Sequence, residues 1–171
     1  MESDVQLREL QKQNLVAEVL RTSGTVKLTA RGHSMMPTLW PGDFLNIETV
    51  SFDRVQVGDL VLYERSNRFF IHRVLQKSAG VESRRPTLVT RGDSMLTLDP
   101  MVRPEELLGR VVSLERRSKG RVPIPDCSVL RRAFGMVLGY SDRLRSFALR
   151  IHAWRQPRNG AQSAVPEVQA N

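Results

Sequence analysis

The sequence predicts a mainly β (α+β) fold, a compact unit of short strands flanked by an N-terminal and a C-terminal helix. Three observations carry this. Between residues 24 and 117, apolar and β-branched residues come in short runs separated by Pro, Gly, Asn and Asp turn signals. The segments before and after these runs repeat their apolar residues at helical spacing instead. Strands do not alternate with helical stretches, so a parallel βαβ sheet is not expected.

The first 23 residues read as an N-terminal helix. Over residues 4–21, Val5, Leu7, Leu10, Leu15, Val16, Val19 and Leu20 recur at near-helical spacing, and Thr22-Ser23-Gly24 stops the run. Strands are expected at 25–29, 44–50, 59–63, 68–75, 87–90 and 110–115. Pro41-Gly42-Asp43, Gly58-Asp59, Ser66-Asn67 and Arg91-Gly92-Asp93 supply the turns. This β domain is taken as residues 24–121, ended by the breaker Val122-Pro123-Ile124-Pro125. Residues 122–155 hold a basic amphipathic helix, running from about Ser128 to Arg155. Leu130, Phe134, Val137, Leu138, Leu144, Phe147, Ala148, Ile151 and Trp154 share one face, with arginines mostly off it. The polar end, 156–171, is expected to be a flexible tail.

Length and composition narrow the function classes. A chain of 171 residues has room for one ordinary domain, and 26% charged against 40% hydrophobic residues favours folding over disorder. The net charge of +8 raises affinity for any polyanion without choosing between membrane and nucleic acid. Cys127 is the lone cysteine, so neither an intrachain disulfide nor a cysteine-held zinc is available, and a reducing compartment fits. Residues 1–10 are charged where a secretory signal needs an apolar core. No stretch reaches the roughly 18 apolar residues of a membrane span. The expected location is cytoplasmic or peripherally membrane-associated.

The most informative stretch is Gly32-His33-Ser34-Met35-Met36-Pro37-Thr38-Leu39-Trp40-Pro41-Gly42-Asp43. A serine hydroxyl becomes a nucleophile only when a base takes its proton and a rigid backbone aims it. Gly32 permits close approach of a substrate chain, Pro37 and the Pro-Gly-Asp turn stiffen the chain beyond the serine, and Met35 and Met36 anchor the segment in apolar surroundings. Downstream lie Phe69-Phe70-Ile71-His72-Arg73-Val74-Leu75 and Arg91-Gly92-Asp93-Ser94-Met95-Leu96-Thr97-Leu98-Asp99. Over residues 28–115 this succession of boxes resembles signal peptidase I and the related LexA and phage-repressor self-cleaving peptidases.

The resemblance implies a serine endopeptidase with Ser34 as nucleophile and His72 as general base. His in place of the bacterial Lys, followed by Arg-Val, is similar to the Ser-His branch of the endoplasmic-reticulum, archaeal and sporulation-type enzymes. It assigns Asp99 to orient the imidazole and Asp93 to a mainly structural part, with the exchange of these two roles left open. Gly32 stands where bacterial enzymes place a second serine for the oxyanion, and Ser94-Met95 stands where two Asn are usual.

Rival residues are available. His33 adjoins the nucleophile, although adjacent side chains point apart in extended chain. Lys77 and Lys27 offer a Ser-Lys dyad, and Ser94 sits in a Ser-Met pair of its own, but an acid box rather than a base-bearing strand comes after it. His152 reads as a surface residue.

The implied substrate is a precursor or signal peptide bound in extended form, with small residues before the cut, and no metal or organic cofactor is called for. The helix at 128–155 offers a contact with an anionic membrane surface. Nucleic acid is disfavoured, because one N-terminal helix does not make a helix-turn-helix. Two alternatives stand beside this reading: a cytoplasmic maturation or self-cleaving protease of LexA-like type, and a non-catalytic peptide-, lipid- or nucleic-acid-binding module on the same fold.

Overall fold

The computed structural model describes residues 2–80, 85–116, 120–124 and 167–170. It is a mixed α+β fold dominated by an antiparallel sheet, with one α-helix and two short 3-10 turns among the described residues. Helix α1 (Glu2–Ser23) ends where Gly24 turns left-handed at φ +72° and donates its N–H to the Leu20 carbonyl. That carbonyl also accepts the Thr49 hydroxyl, which ties the end of the helix to the sheet. Val16, Ala17 and Leu20 are buried, whereas Leu15 is 60% exposed and does not share the packed face that its spacing suggested.

The strands are β1 (Thr25–Gly32), β2 (Phe44–Glu48), β3 (Leu60–Arg65), β4 (Arg68–Ser78), β5 (Thr87–Arg91), β6 (Leu107–Arg116), β7 (Gly120–Val122) and β8 (Glu167–Ala170). Their order in the sheet is β5-β4-β3-β6-β2-β1-β8, with β7 paired to β6. Among the described strands every pairing is antiparallel except β1 with β8, which is parallel. The β3–β4 hairpin turns on Ser66 and Asn67, at φ 51° and 55°. Such two-residue turns match the twist of the flanking strands.

Side-chain alternation along β3 and β4 divides the interior. Leu60, Leu62, Phe69 and Ile71 join α1, β1, β2 and β6 in one cluster. Val61, Tyr63 and Val74 face the other way and pack with Val55, Leu88 and Val102. Both faces of β3 are therefore covered, so it reads as a continuous apolar run rather than an alternating one. His72 falls between Ile71 and Arg73, on the Val74 side of β4, and this brings it to the Tyr63 and Phe70 rings.

Two features differ from the sequence expectation. Strand β6 starts at Leu107 rather than 110, and β7 carries the sheet to Val122, past the expected edge of the domain. Residues 167–170 are not a flexible tail, because they pair as β8 with Thr29–Gly32. Four residues are too few to show a periodicity, and β1, some 140 residues earlier in the chain, supplies their pairing partners. The helix expected at 128–155 lies outside the described residues.

Where β6 meets β2, the register shifts between Asn46 and Ile47, and Gly109 lies close against that irregularity. A Cβ added at Gly109 would stand 2.6 Å from the Glu48 carbonyl oxygen and 2.9 Å from Ile47 Cγ2. We expect Gly109→Ala to destabilise the protein by about 1–3 kcal/mol in urea unfolding, through overpacking against backbone that has no room to yield. An unchanged midpoint would show that β2 relaxes freely there.

Candidate active site

Strand β1 ends at Gly32, whose φ of +77° is open to glycine and strained for other residues. The chain then turns sharply. Met36 N–H bonds to the His33 carbonyl, Leu39 N–H to the Met35 carbonyl, and Asp43 N–H to the Trp40 carbonyl, before β2 begins. Met35, Met36 and Leu39 are buried and anchor this turn from below, and the Met36–Pro37 peptide is cis. Ser34 sits at its start. Strand β4 delivers His72 from the opposite side, and the Ser34 Oγ lies 3.0 Å from His72 Nε2 with both residues 3% exposed.

The far side of the imidazole meets Asp99, whose Oδ2 is 2.6 Å from Nδ1. Asp99 is brought there because the chain after β5 folds back along it. Asp99 N–H donates to the Thr90 carbonyl, and Leu88 and Val102 exchange both backbone bonds. The Thr90 hydroxyl donates to the same Asp99 oxygen at 2.7 Å. The Tyr63 hydroxyl stands 3.5 Å from Nδ1 and near enough to Asp99 to feel its charge. Burial works against the charge on Asp99, but the hydrogen bonds from His72 and Thr90, the attraction of the imidazole and the nearby Tyr63 hydroxyl outweigh it, holding its carboxyl below the usual range. Burial first, and then the charge of Asp99, push the Tyr63 phenol up, which keeps it a donor. An ionised Asp99 is an acceptor only, so it selects the tautomer with the proton on Nδ1 and leaves Nε2 to accept the Ser34 hydroxyl.

Asp93 does something else. Its two oxygens take Arg73 Nε at 2.9 Å and a terminal guanidinium nitrogen at 2.8 Å, and the Thr38 hydroxyl donates to Oδ2 as well. Arg73 reaches the Gly58 carbonyl with its other nitrogen. Of the two acids whose roles were open, Asp99 contacts the imidazole and Asp93 holds the neighbouring arginine.

The Gly-Asp box also has a steric reason. A Cβ on Gly92 would lie 2.6 Å from the Ser34 carbonyl oxygen and 2.9 Å from Ser34 Cβ, so only glycine lets this loop press on the serine. Ser94 completes the clamp. Its N–H donates to the Ser34 carbonyl, and its hydroxyl is within reach of the carbonyls of both His33 and Ser34.

A second pair, in which Asp43 is buried and Arg116 partly so, braces the other end of the turn. Arg116 from β6 grips Asp43 at 2.9 and 2.6 Å and reaches the Thr38 carbonyl, while Trp40 N–H also donates to Asp43.

Neither lysine stands at the serine. The Lys77 ammonium donates to the carbonyls of Asp53 and Val55, and Lys27 pairs with Glu115. His152 lies outside the described residues. Met95, Leu96, Leu98 and Met101 form an exposed apolar rim on the loop that carries Asp99.

Sequence reasoning missed Tyr63, Thr90, Arg73 and Arg116 as parts of the site. Tyr63 and Thr90 occupy strand positions that any β residue fills, and only the folded register brings them to Asp99. Among the described residues no group of His, Cys, Asp and Glu converges as a metal site would require, and no helix is long and apolar enough to cross a membrane.

No protein-family model matches this sequence, and no curated protein does. The geometry of the site is therefore the guide to its chemistry.

Two outcomes test that geometry. Asp93→Asn leaves Arg73 buried beside a neutral amide and should cost about 3–5 kcal/mol in urea unfolding, whereas replacing both members by apolar residues should recover part of the loss. A loss under about 1 kcal/mol would mean that solvent reaches the pair. The depressed Asp99 contributes stability that is present above its unfolded value and lost as pH falls through its folded one. Between about pH 5 and pH 3, Asp99→Asn should therefore lose less stability than wild type. Parallel curves for the two proteins would contradict the hydrogen bonding described.

Proposed function

We propose that this protein is a serine endopeptidase of the signal peptidase I type, cleaving precursor or signal peptides through an acyl-enzyme. The observation that carries the proposal is the 3.0 Å approach of the Ser34 hydroxyl to His72 Nε2, with Asp99 on the opposite ring nitrogen. A buried serine on a braced turn, an imidazole whose Nε2 accepts the serine proton and an ionised carboxylate behind it are the parts that nucleophilic acyl transfer requires. The resemblance of the boxes around Ser34, His72 and Gly92-Asp93 supports the same reading, because these three stretches meet at one place.

His72 takes the Ser34 proton as the oxygen attacks the scissile carbonyl. The imidazolium that forms is stabilised by Asp99, which keeps its charge. His72 then protonates the leaving amine, the acyl-enzyme forms, and water activated by the same ring releases the product. The Ser34 backbone N–H is the group available to steady the oxyanion, since Gly32 brings no hydroxyl. Thr90 and Tyr63 are positioning residues that hold Asp99. The exposed rim of Met95, Leu96, Leu98 and Met101 beside Asp99 is a surface for apolar substrate residues or for a lipid interface.

The test is to incubate wild type and Ser34→Ala with a candidate preprotein, with and without anionic vesicles, and to read the products by mass spectrometry. Wild type should cut at one bond preceded by small residues, and Ser34→Ala should not cut. His72→Ala should fall by about a thousandfold or more, while Lys77→Ala should keep full activity. Cleavage that survives Ser34→Ala, or that is lost equally in Lys77→Ala, would overturn the assignment. Binding of the preprotein without cleavage by wild type would favour a non-catalytic module.

A further inference from the structure

The strand that leads to the nucleophile has two edges. One pairs with β2, and the other pairs with β8, residues Glu167–Ala170. Among the described strands this second pairing stands apart in being parallel, formed by a four-residue strand with no hairpin to β1. Thr29 pairs with Glu167, Ala30 with Val168, Arg31 with Gln169 and Gly32 with Ala170. Gly32 is two residues short of Ser34. A strand running parallel to β1 in this register therefore runs toward the serine.

Strand β8 also packs against β4, which carries His72. It thus lies between the two strands that supply the Ser34 hydroxyl and the imidazole. An extended peptide that adds to an open sheet edge is held by its main chain, whatever its origin, and alternate residues give selectivity.

We infer that Glu167–Ala170 is an intramolecular occupant of the groove in which substrate binds, so that the chain's own C-terminal segment competes with substrate for the edge of β1. The inference rests on the peptidase reading for the word substrate, but the occupancy itself rests on the pairing of β8 with β1. Because the segment is tethered, its effective concentration is on the order of millimolar, high enough for a weak four-residue strand to fill the edge. An incoming peptide has to displace it.

The experiment uses the full chain carrying Val168→Pro and Gln169→Pro, which removes two main-chain donors from the segment and leaves the sheet intact. A fluorescein-labelled peptide of residues 163–170 is titrated by anisotropy into Ser34→Ala protein with and without the two prolines. The peptide should bind the proline variant at least about tenfold more tightly. Equal affinity for both proteins, or no binding to the proline variant, would overturn the inference. Removal of residues 167–171 provides a second variant should the prolines disturb folding, and it should bind the peptide as tightly. In protein with Ser34 intact, the proline variant should turn over a peptide substrate with a lower KM and an unchanged kcat. Tighter binding with no turnover would refute the peptidase reading and keep the occupancy. Turnover with the same KM as wild type, and the same peptide affinity, would refute the occupancy alone.

Discussion

Arg73 carries its guanidinium into a position only 3% exposed and sets it against both oxygens of Asp93. A charge removed from water is tolerated only with a well-formed partner, so this pair fixes what surrounds it. It joins β4, which bears His72, to the Gly-Asp loop, which bears Gly92 and Ser94. Through Thr38 it also reaches the turn that bears Ser34. The Arg116–Asp43 pair braces the same turn from β6, and Thr38 is common to both, giving its hydroxyl to Asp93 and its carbonyl to Arg116. A serine held between two such anchors has little freedom, and its hydroxyl stays within hydrogen-bond range of the imidazole.

The two carboxylates of one short loop come to different work through their surroundings. Asp93 is neutralised by a permanent cation and serves as an anchor. Among the described residues no arginine is hydrogen-bonded to Asp99. It meets the imidazole, Thr90 and Tyr63, and its charge is held by donors that do not carry a fixed positive charge of their own. That difference leaves Asp99 able to answer a change of charge on the imidazole, which Asp93 is not placed to do.

Much of this was legible in the sequence. The helix ending at Gly24, the turn at Ser66-Asn67 and the positions of most strands along the chain are local matters of spacing and turn chemistry. The boxes around Ser34, His72 and Asp99 could be singled out because each is a short string of unusual composition. What was hidden is what depends on long-range register. Arg73 reads as one more charged residue in an apolar strand until Asp93, twenty positions later, is seen to receive it. Arg116 and Asp43 are 73 residues apart, and no spacing rule connects them. Gly92 looks like a turn glycine, although its tighter constraint is the Ser34 backbone against it. Residues 167–170 are too short a run to announce a strand, and the open edge of β1, far away in the chain, is what pairs them.

The proposed chemistry stands on the hydroxyl of Ser34 being activated by His72. The most direct measurement is covalent modification by a fluorophosphonate, located by peptide mass spectrometry, in wild type and in His72→Ala. An adduct on Ser34 should form in wild type and be almost abolished when the imidazole is removed. An adduct on another serine, or equal labelling of Ser34 in both proteins, would contradict that activation.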